Sequence, residues 1–147
     1  MKKYILIAGV NGAGKSTLFQ TLESLKDMPR INTDEIVKSF GNWQNMSDVL
    51  KAGKIAVRKI KEYFEQGISF NQETTLCGAS IIRNIEIAKS LGYRIELHYV
   101  GVYPAFFVSS ENVSRCFQAS EDNAVVISLG ISSFLVENDS FSIVLPP

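Results

Sequence analysis

The sequence predicts an α/β fold, a doubly wound parallel sheet with helices on both faces, and three observations predict it. Short apolar runs alternate with amphipathic helical segments from residue 4 to residue 102. Such alternation builds βαβ units, whose strands pair in parallel. The first run, Tyr4 to Ala8, is continuously apolar, as a central strand covered on both faces must be. The turn after it, Gly9-Val10-Asn11-Gly12-Ala13-Gly14-Lys15-Ser16-Thr17, is glycine-rich and leads into a helix.

Taken in order, Tyr4 to Ala8 is the first strand. Leu18, Leu22 and Leu25 recur at helical spacing and predict a helix from Lys15 to Leu25. Pro29 closes that segment, and Arg30-Ile31-Asn32 forms a short second strand. Thr33 is placed to cap a helix opening on Asp34-Glu35. Ser47 is placed to cap a long helix with Ala52, Ile55, Ala56, Ile60 and Tyr63 on its apolar face, closed by Gly67. Ile68 to Glu73 reads as a third strand. Ala79 to Leu91 reads as a helix with Ile81, Ile85 and Ala88 inward and Gly92 at its end. In Tyr93 to Val102, a fourth strand, Ile95, Leu97 and Tyr99 alternate with Glu96 and His98, so one face is less fully covered.

Beyond residue 102 the pattern changes. Residues 1–100 carry 14 Lys+Arg and 10 Asp+Glu; residues 101–147 carry one basic residue, Arg115, five acids, nine serines and no lysine. Ala105 to Val108, Ala124 to Leu129 and Ser140 to Leu145 have strand composition, with no amphipathic helix between them. The chain therefore divides into a core, 1–102, and a divergent segment, 103–147.

With 147 residues, 46% of them hydrophobic and 20% charged, the chain suits one globular domain. Its formal net charge of +0 gives no general electrostatic case for nucleic-acid or anionic-membrane partners. No apolar run reaches the roughly 18–20 residues of a membrane span. Met1-Lys2-Lys3 and the stretch behind it begin like a signal peptide, but the stretch stops at Val10 and enters the glycine turn. Cys77 and Cys116 lack metal-ligand spacing and read as reduced thiols, which predicts a cytoplasmic protein.

The glycine turn satisfies G-x-x-x-x-G-K-[ST] between a buried strand and a helix, which is the P-loop context. Gly9, Asn11, Gly12, Ala13, Gly14, Lys15, Ser16 and Thr17 form a cradle of backbone N–H groups at a helix N-terminus. Lys15 is positioned for the β- and γ-phosphates of ATP, and Ser16 for Mg²⁺. No N-K-x-D, D-x-x-G or L-S-G-G-Q motif is present, and no apolar strand ends in aspartate. A small kinase or an unusual nucleotide-binding domain remains.

Two acids sit at strand ends, where ligands of open α/β sheets bind. Asp34 suits the base that accepts a substrate hydroxyl proton, or equally a first-turn acid favoured by the helix dipole. Glu73 suits an acceptor or a metal-bound water, with the hydroxyls of Thr74 and Thr75 beside it, or a turn residue. Arg83, one turn into the next helix, offers a cation to an anionic substrate, or a solvated helix face. Trp43 either lines an acceptor pocket or covers the core. His98 reads as structural, and the cations from Lys51 to Lys61 as a wet helix face.

These motifs resemble the zeta-toxin-like P-loop kinases, in their chromosomal small-kinase branch. The resemblance rests on Gly-x-Asn-Gly-Ala-Gly-Lys-Ser-Thr, Ile-Asn-x-Asp-Glu-Ile, Ala-Gly-Lys, Phe-x-x-Glu-Thr-Thr-Leu and Gly-Tyr-Arg-Ile-x-Leu, in order from Met1 to Val102. It implies a P-loop kinase-like fold that transfers phosphate from ATP, with Mg²⁺, to a hydroxyl of a UDP-amino sugar such as UDP-N-acetylglucosamine. It implies Lys15 on the phosphates, Asp34 as base, Glu73 with Thr75 at the acceptor, and an antitoxin protein as a partner. The family continues with an arginine-rich helix and a Gly-Gly-His-x-Val-Pro segment that close over the triphosphate. Here the chain reads Val102-Tyr103-Pro104-Ala105-Phe106-Phe107, without an equivalent. A change of reading frame past codon 102 would leave this pattern, and a catalytically impaired ATP-binding remnant is the alternative reading.

Overall fold

The computed structural model describes residues 1–76 and 79–100, together with the backbone of residues 125–129, 132–137 and 140–143. Its centre is β1 (Lys3–Ala8), from Tyr4 onward an unbroken buried run. β1 is flanked in parallel by β3 (Phe70–Thr74) and β4 (Arg94–Tyr99), and β3 in turn by the short β2 (Arg30–Ile31). Next to β4 lies β5 (Val125–Leu129), parallel to it; β6 (Ser132–Glu137) and β7 (Ser140–Ile143) follow antiparallel. The order across the sheet is β2-β3-β1-β4-β5-β6-β7.

Helices cover both faces. On one face α4 (Met46–Gln66) and α5 (Ala79–Ser90) bury Ala56, Ile60, Phe64, Ile81, Ile85 and Ala88 against Tyr4, Leu6, Phe70 and Ile95. Aromatic rings dominate that core: Phe64 meets Tyr4, Phe70 and Tyr93 with centroids 5.2–5.4 Å apart, largely edge to face. The Tyr93 hydroxyl is shared between the carbonyls of Tyr63 and Ile68, tying β4's start to α4's end. On the opposite face α1 (Lys15–Thr21) and α2 (Glu23–Lys26) pack Leu18, Phe19, Leu22 and Leu25 against Ile5 and Ile7. The helix after β1 and the helix after β3 thus take opposite faces, which puts the topological switch point between these two neighbouring strands. Crevices at such points are where open α/β sheets bind ligands.

The element boundaries depart from the sequence reading in instructive places. The predicted helix from Lys15 to Leu25 breaks at Leu22, whose backbone is extended. The Thr21 hydroxyl donates to the Thr17 carbonyl at 2.9 Å, a back-bond that weakens a helix end. The break lets Leu22 and Leu25 both reach Ile5 and Ile7. α3 (Thr33–Phe40) is capped by Asn32 rather than Thr33, because the Asn32 side-chain oxygen accepts from the amides of Asp34 and Glu35. α4 is capped by Asn45 rather than Ser47, whose amide donates to the Asn45 side chain at 3.0 Å. Gly67, at φ 67°, ends α4, and the Ile68 amide returns to the Tyr63 carbonyl, so β3 starts at Phe70 instead of Ile68.

Two of the three tail segments with strand composition coincide with β5 and β7; β6 went unrecognised, and Ala105 to Val108 lies outside the described residues. Cys77 and Cys116 lie outside them too. His98 points to the α1 face of the sheet, in register with Ile7. Its burial lowers its pKa below the ordinary 6.5, a shift that nearby Glu96 opposes and Lys3 adds to. No helix among the described residues is long and apolar enough to cross a membrane.

Candidate functional site

The loop after β1 is fixed at its root by both neighbouring strands. The Gly9 amide donates to the Thr74 carbonyl at the end of β3, and the Val100 amide donates to the Ala8 carbonyl at 2.7 Å. A Cβ on Gly9 would stand 2.2 Å from the Val100 carbonyl oxygen, and Gly9 has φ 151°. Only glycine fits there. Gly12 and Gly14 follow at φ 80° and 101°, and the Ala13 amide closes a turn onto the Val10 carbonyl. Left-handed glycines let successive N–H groups converge on one point, the concavity that holds phosphate. Gly14 caps α1 with no side-chain hydrogen bond, so the cap residue does not satisfy the N–H groups of the first turn.

Lys15 lies at the bottom of this loop, 7% exposed. Its Nζ donates to the carbonyls of Gly9 and Val10, both at 2.9 Å, and stands 4.0 Å from Glu73 Oε1. Glu73 is in register with Ile7, which turns its side chain toward the α1 face and the loop. Its other oxygen, Oε2, is held by the Arg30 guanidinium and by Asn32 Nδ2, the latter at 2.9 Å. Arg30 also pairs with Glu35 Oε1 at 2.7 Å and lies 3.9 Å from the centroid of the Phe19 ring. A chain of charge therefore runs from the loop lysine through Glu73 and Arg30 to Glu35 on α3.

The remaining candidates are not members of this chain of charge. Asp34 is exposed on the first turn of α3, and its carboxylate has no hydrogen-bond partner among the described residues. Thr74 Oγ1 accepts from the Leu76 amide, which stabilises Leu76 at φ 59° just past β3. Thr75 is exposed beside it. Asn11, Ser16 and Thr17 are exposed along the loop and the start of α1. Arg83 is exposed on α5 and forms no ion pair among the described residues, and Trp43 is 67% exposed rather than packed on the core. No group of three His, Cys, Asp or Glu able to hold a metal occurs among the described residues.

Two participants escaped the sequence reading. Asn32, a strand residue by pattern, both caps α3 and binds Glu73. Arg30, likewise a strand residue by pattern, binds Glu73 and Glu35. The available signal was a cation and an acid at the ends of two short strands, but their adjacency is a matter of sheet order.

A model of the Zeta toxin family matches residues 1–120. An uncharacterized protein of Haemophilus influenzae is 35% identical over 102 residues, covering 68% of this chain and 71% of that one. Among solved structures, a candidate kinase from Chloroflexus aurantiacus superposes with a TM-score of 0.54 at 15% identity, over 67% of this chain and 58% of that one. A chain of the PezAT chromosomal toxin-antitoxin system of Streptococcus pneumoniae superposes with a TM-score of 0.64 at 16% identity, over 86% of this chain and 66% of that one. The match thus spans less than two thirds of either solved chain, and at these identities the likeness is one of fold.

Proposed function

The chain belongs to the Zeta toxin family, and from that membership we propose that it is an ATP-dependent phosphotransferase acting on a hydroxyl of a small acceptor, a UDP-amino sugar such as UDP-N-acetylglucosamine. The observation that carries the reading is the meeting of Lys15, Glu73 and the Asn32–Asp34 segment at the C-terminal ends of β1, β3 and β2. Donor and acceptor chemistry then share one edge of the sheet.

The residues present fit a nucleotide. Three left-handed glycines shape the cradle, and the two hydrogen bonds that Lys15 donates go to neutral carbonyls, which a phosphate oxygen outcompetes because its hydrogen bonds are charge-assisted. Mg²⁺ keeps several waters and takes few protein ligands, so the exposed Ser16 hydroxyl suits it. When bound with the nucleotide, the ion neutralises charge on the phosphate oxygens. Lys15 and the loop amides bind and orient the phosphates. Asp34, exposed and without a carboxylate partner among the described residues, takes the proton of the acceptor hydroxyl. The acceptor oxygen forms its bond to the terminal phosphorus as the bond to the bridging oxygen breaks, and ADP leaves. Glu73, Thr74, Thr75 and Arg83 are proposed to line the acceptor side. Residues 1–102 form the catalytic core in this reading. An antitoxin protein is the proposed partner and the cytoplasm the proposed location.

A second reading has its own support: after residue 100 the chain holds a single basic residue, Arg115. A charge-stabilising arginine contributes on the order of 10³–10⁵ in phosphoryl-transfer rate, so a chain without one binds ATP and turns over poorly. Incubating the protein with Mg-ATP and UDP-N-acetylglucosamine separates the two. A phosphorylated sugar nucleotide supports the kinase; tight ATP binding with no product supports the impaired remnant.

A further inference from the structure

We propose that Arg30 is a positioning residue that holds Glu73 off Lys15 and so keeps the Lys15 ammonium available to phosphates; the proposal rests on Gly9–Thr17 being the nucleotide site. Glu73 is one carboxylate between two cations. The Arg30 guanidinium and Asn32 Nδ2 both bind Oε2, on the side away from the loop, while Oε1 faces Lys15 across 4.0 Å. Both donors therefore draw the carboxylate toward β2.

Arg30 is itself firmly placed. Glu35 pairs with its other terminal nitrogen at 2.7 Å, Phe19 lies under its plane, and its side chain is only 13% exposed. A planar guanidinium meets these partners at once, which a point charge on a flexible stem cannot do equally well. Lys15 meets Glu73 only at the 4.0 Å limit of an ion pair, and donates its hydrogen bonds to two neutral carbonyls.

The alternative arrangement shows what the clamp prevents. Lys15 and Glu73 are 7% and 12% exposed, so a closer, hydrogen-bonded pair between them would be poorly screened and hard to open. A nucleotide would have to break that pair before its phosphates could reach the ammonium. Without the Arg30 charge, Asn32 alone holds Glu73, and closing the gap to Lys15 needs only a small side-chain rotation. Asp34 and Ser16 play no part in this competition.

The test is a double-mutant cycle on the dissociation constant of a fluorescent ATP analogue with Mg²⁺, using the full chain. Arg30→Met weakens binding about tenfold, while in the Glu73→Gln background the same change shifts it less than about threefold. Arg30→Lys, which keeps the charge but not the planar fork, recovers part of the affinity. Thermal melts verify that each variant is folded, and Arg30→Gln replaces Arg30→Met if the latter is not. An Arg30→Met protein with unchanged affinity, or a loss that persists undiminished beside Glu73→Gln, overturns the inference alone. A wild-type protein that binds no nucleotide overturns it together with the proposed function.

Discussion

Lys15 Nζ stands 4.0 Å from Glu73 Oε1, yet its two hydrogen bonds go to the carbonyls of Gly9 and Val10. The ammonium is buried, and it faces Glu73 at the outer limit of an ion pair without a hydrogen bond between them. It is parked on groups that a charged ligand displaces. Glu73, for its part, is bound from the other side by Arg30 and Asn32.

That arrangement makes Lys15 the decisive contact for the nucleotide. Hydrogen bonds to charged groups contribute about 1.5–3 kcal/mol each, so Lys15→Met is expected to weaken Mg-ATP binding by at least about a hundredfold. Isothermal titration calorimetry on the two proteins measures it. Affinity unchanged within a few-fold would place the phosphates elsewhere.

Gly9 is the point where the loop leaves the sheet, and it has no room for a side chain. Gly9→Ala sets a methyl group against the Val100 carbonyl, at a φ that disfavours any L-residue. Overpacking of this kind costs roughly 1–3 kcal/mol, with about 1–2 more for the left-handed backbone. A clear drop in the thermal midpoint is expected, together with weaker nucleotide binding, because the loop moves with its root.

Asn71 joins the two layers beneath the site. Fully buried on β3, it donates from Nδ2 to the Leu25 carbonyl at 3.0 Å, holding the end of α2 against the sheet. Asn71→Ala leaves that carbonyl without its donor in a buried place, at a cost of about 1–3 kcal/mol. Urea unfolding with an unchanged m-value would report this loss.

His98 sets a pH dependence. Burial first, and Lys3 in addition, depress its pKa in the fold below the ordinary 6.5, against the pull of Glu96. The unfolded chain then takes up a proton at a higher pH than the folded one, so stability is complete above the unfolded pKa and declines as pH falls through it. The thermal midpoint of the wild type is expected to drop between about pH 7.5 and 5.5, and that of His98→Leu to drop less. Parallel profiles for the two proteins would rule His98 out as the source.

How far the sequence could be read follows from what is local. β1 and the loop are legible because an apolar run and a glycine spacing are complete within fifteen residues. The helical stripe of Ala52, Ala56 and Ile60 is legible for the same reason, and those residues are buried. The caps were misplaced because asparagine, two residues ahead of the amides it binds, competes better than the threonine or serine nearer the helix. The role of Arg30 was hidden for a different reason. It depends on β2 pairing with β3 in one register, Arg30 beside Asn71 and Ile31 beside Gln72, and no pattern within either strand encodes that pairing. β6 was hidden because Ser132 to Glu137 carries two serines at its start and a charge at its end, which blurs the alternation.

Asp34 carries the central claim, since it alone separates transfer from binding. The direct measurement is mass spectrometry of UDP-N-acetylglucosamine incubated with Mg-ATP and either wild-type protein or Asp34→Asn. The account predicts a phosphorylated sugar nucleotide from the wild type. From Asp34→Asn it predicts a yield lower by about 10²–10⁴, with ATP affinity kept within a few-fold. Equal yields from the two proteins, or no product from a wild type that binds ATP tightly, would contradict it.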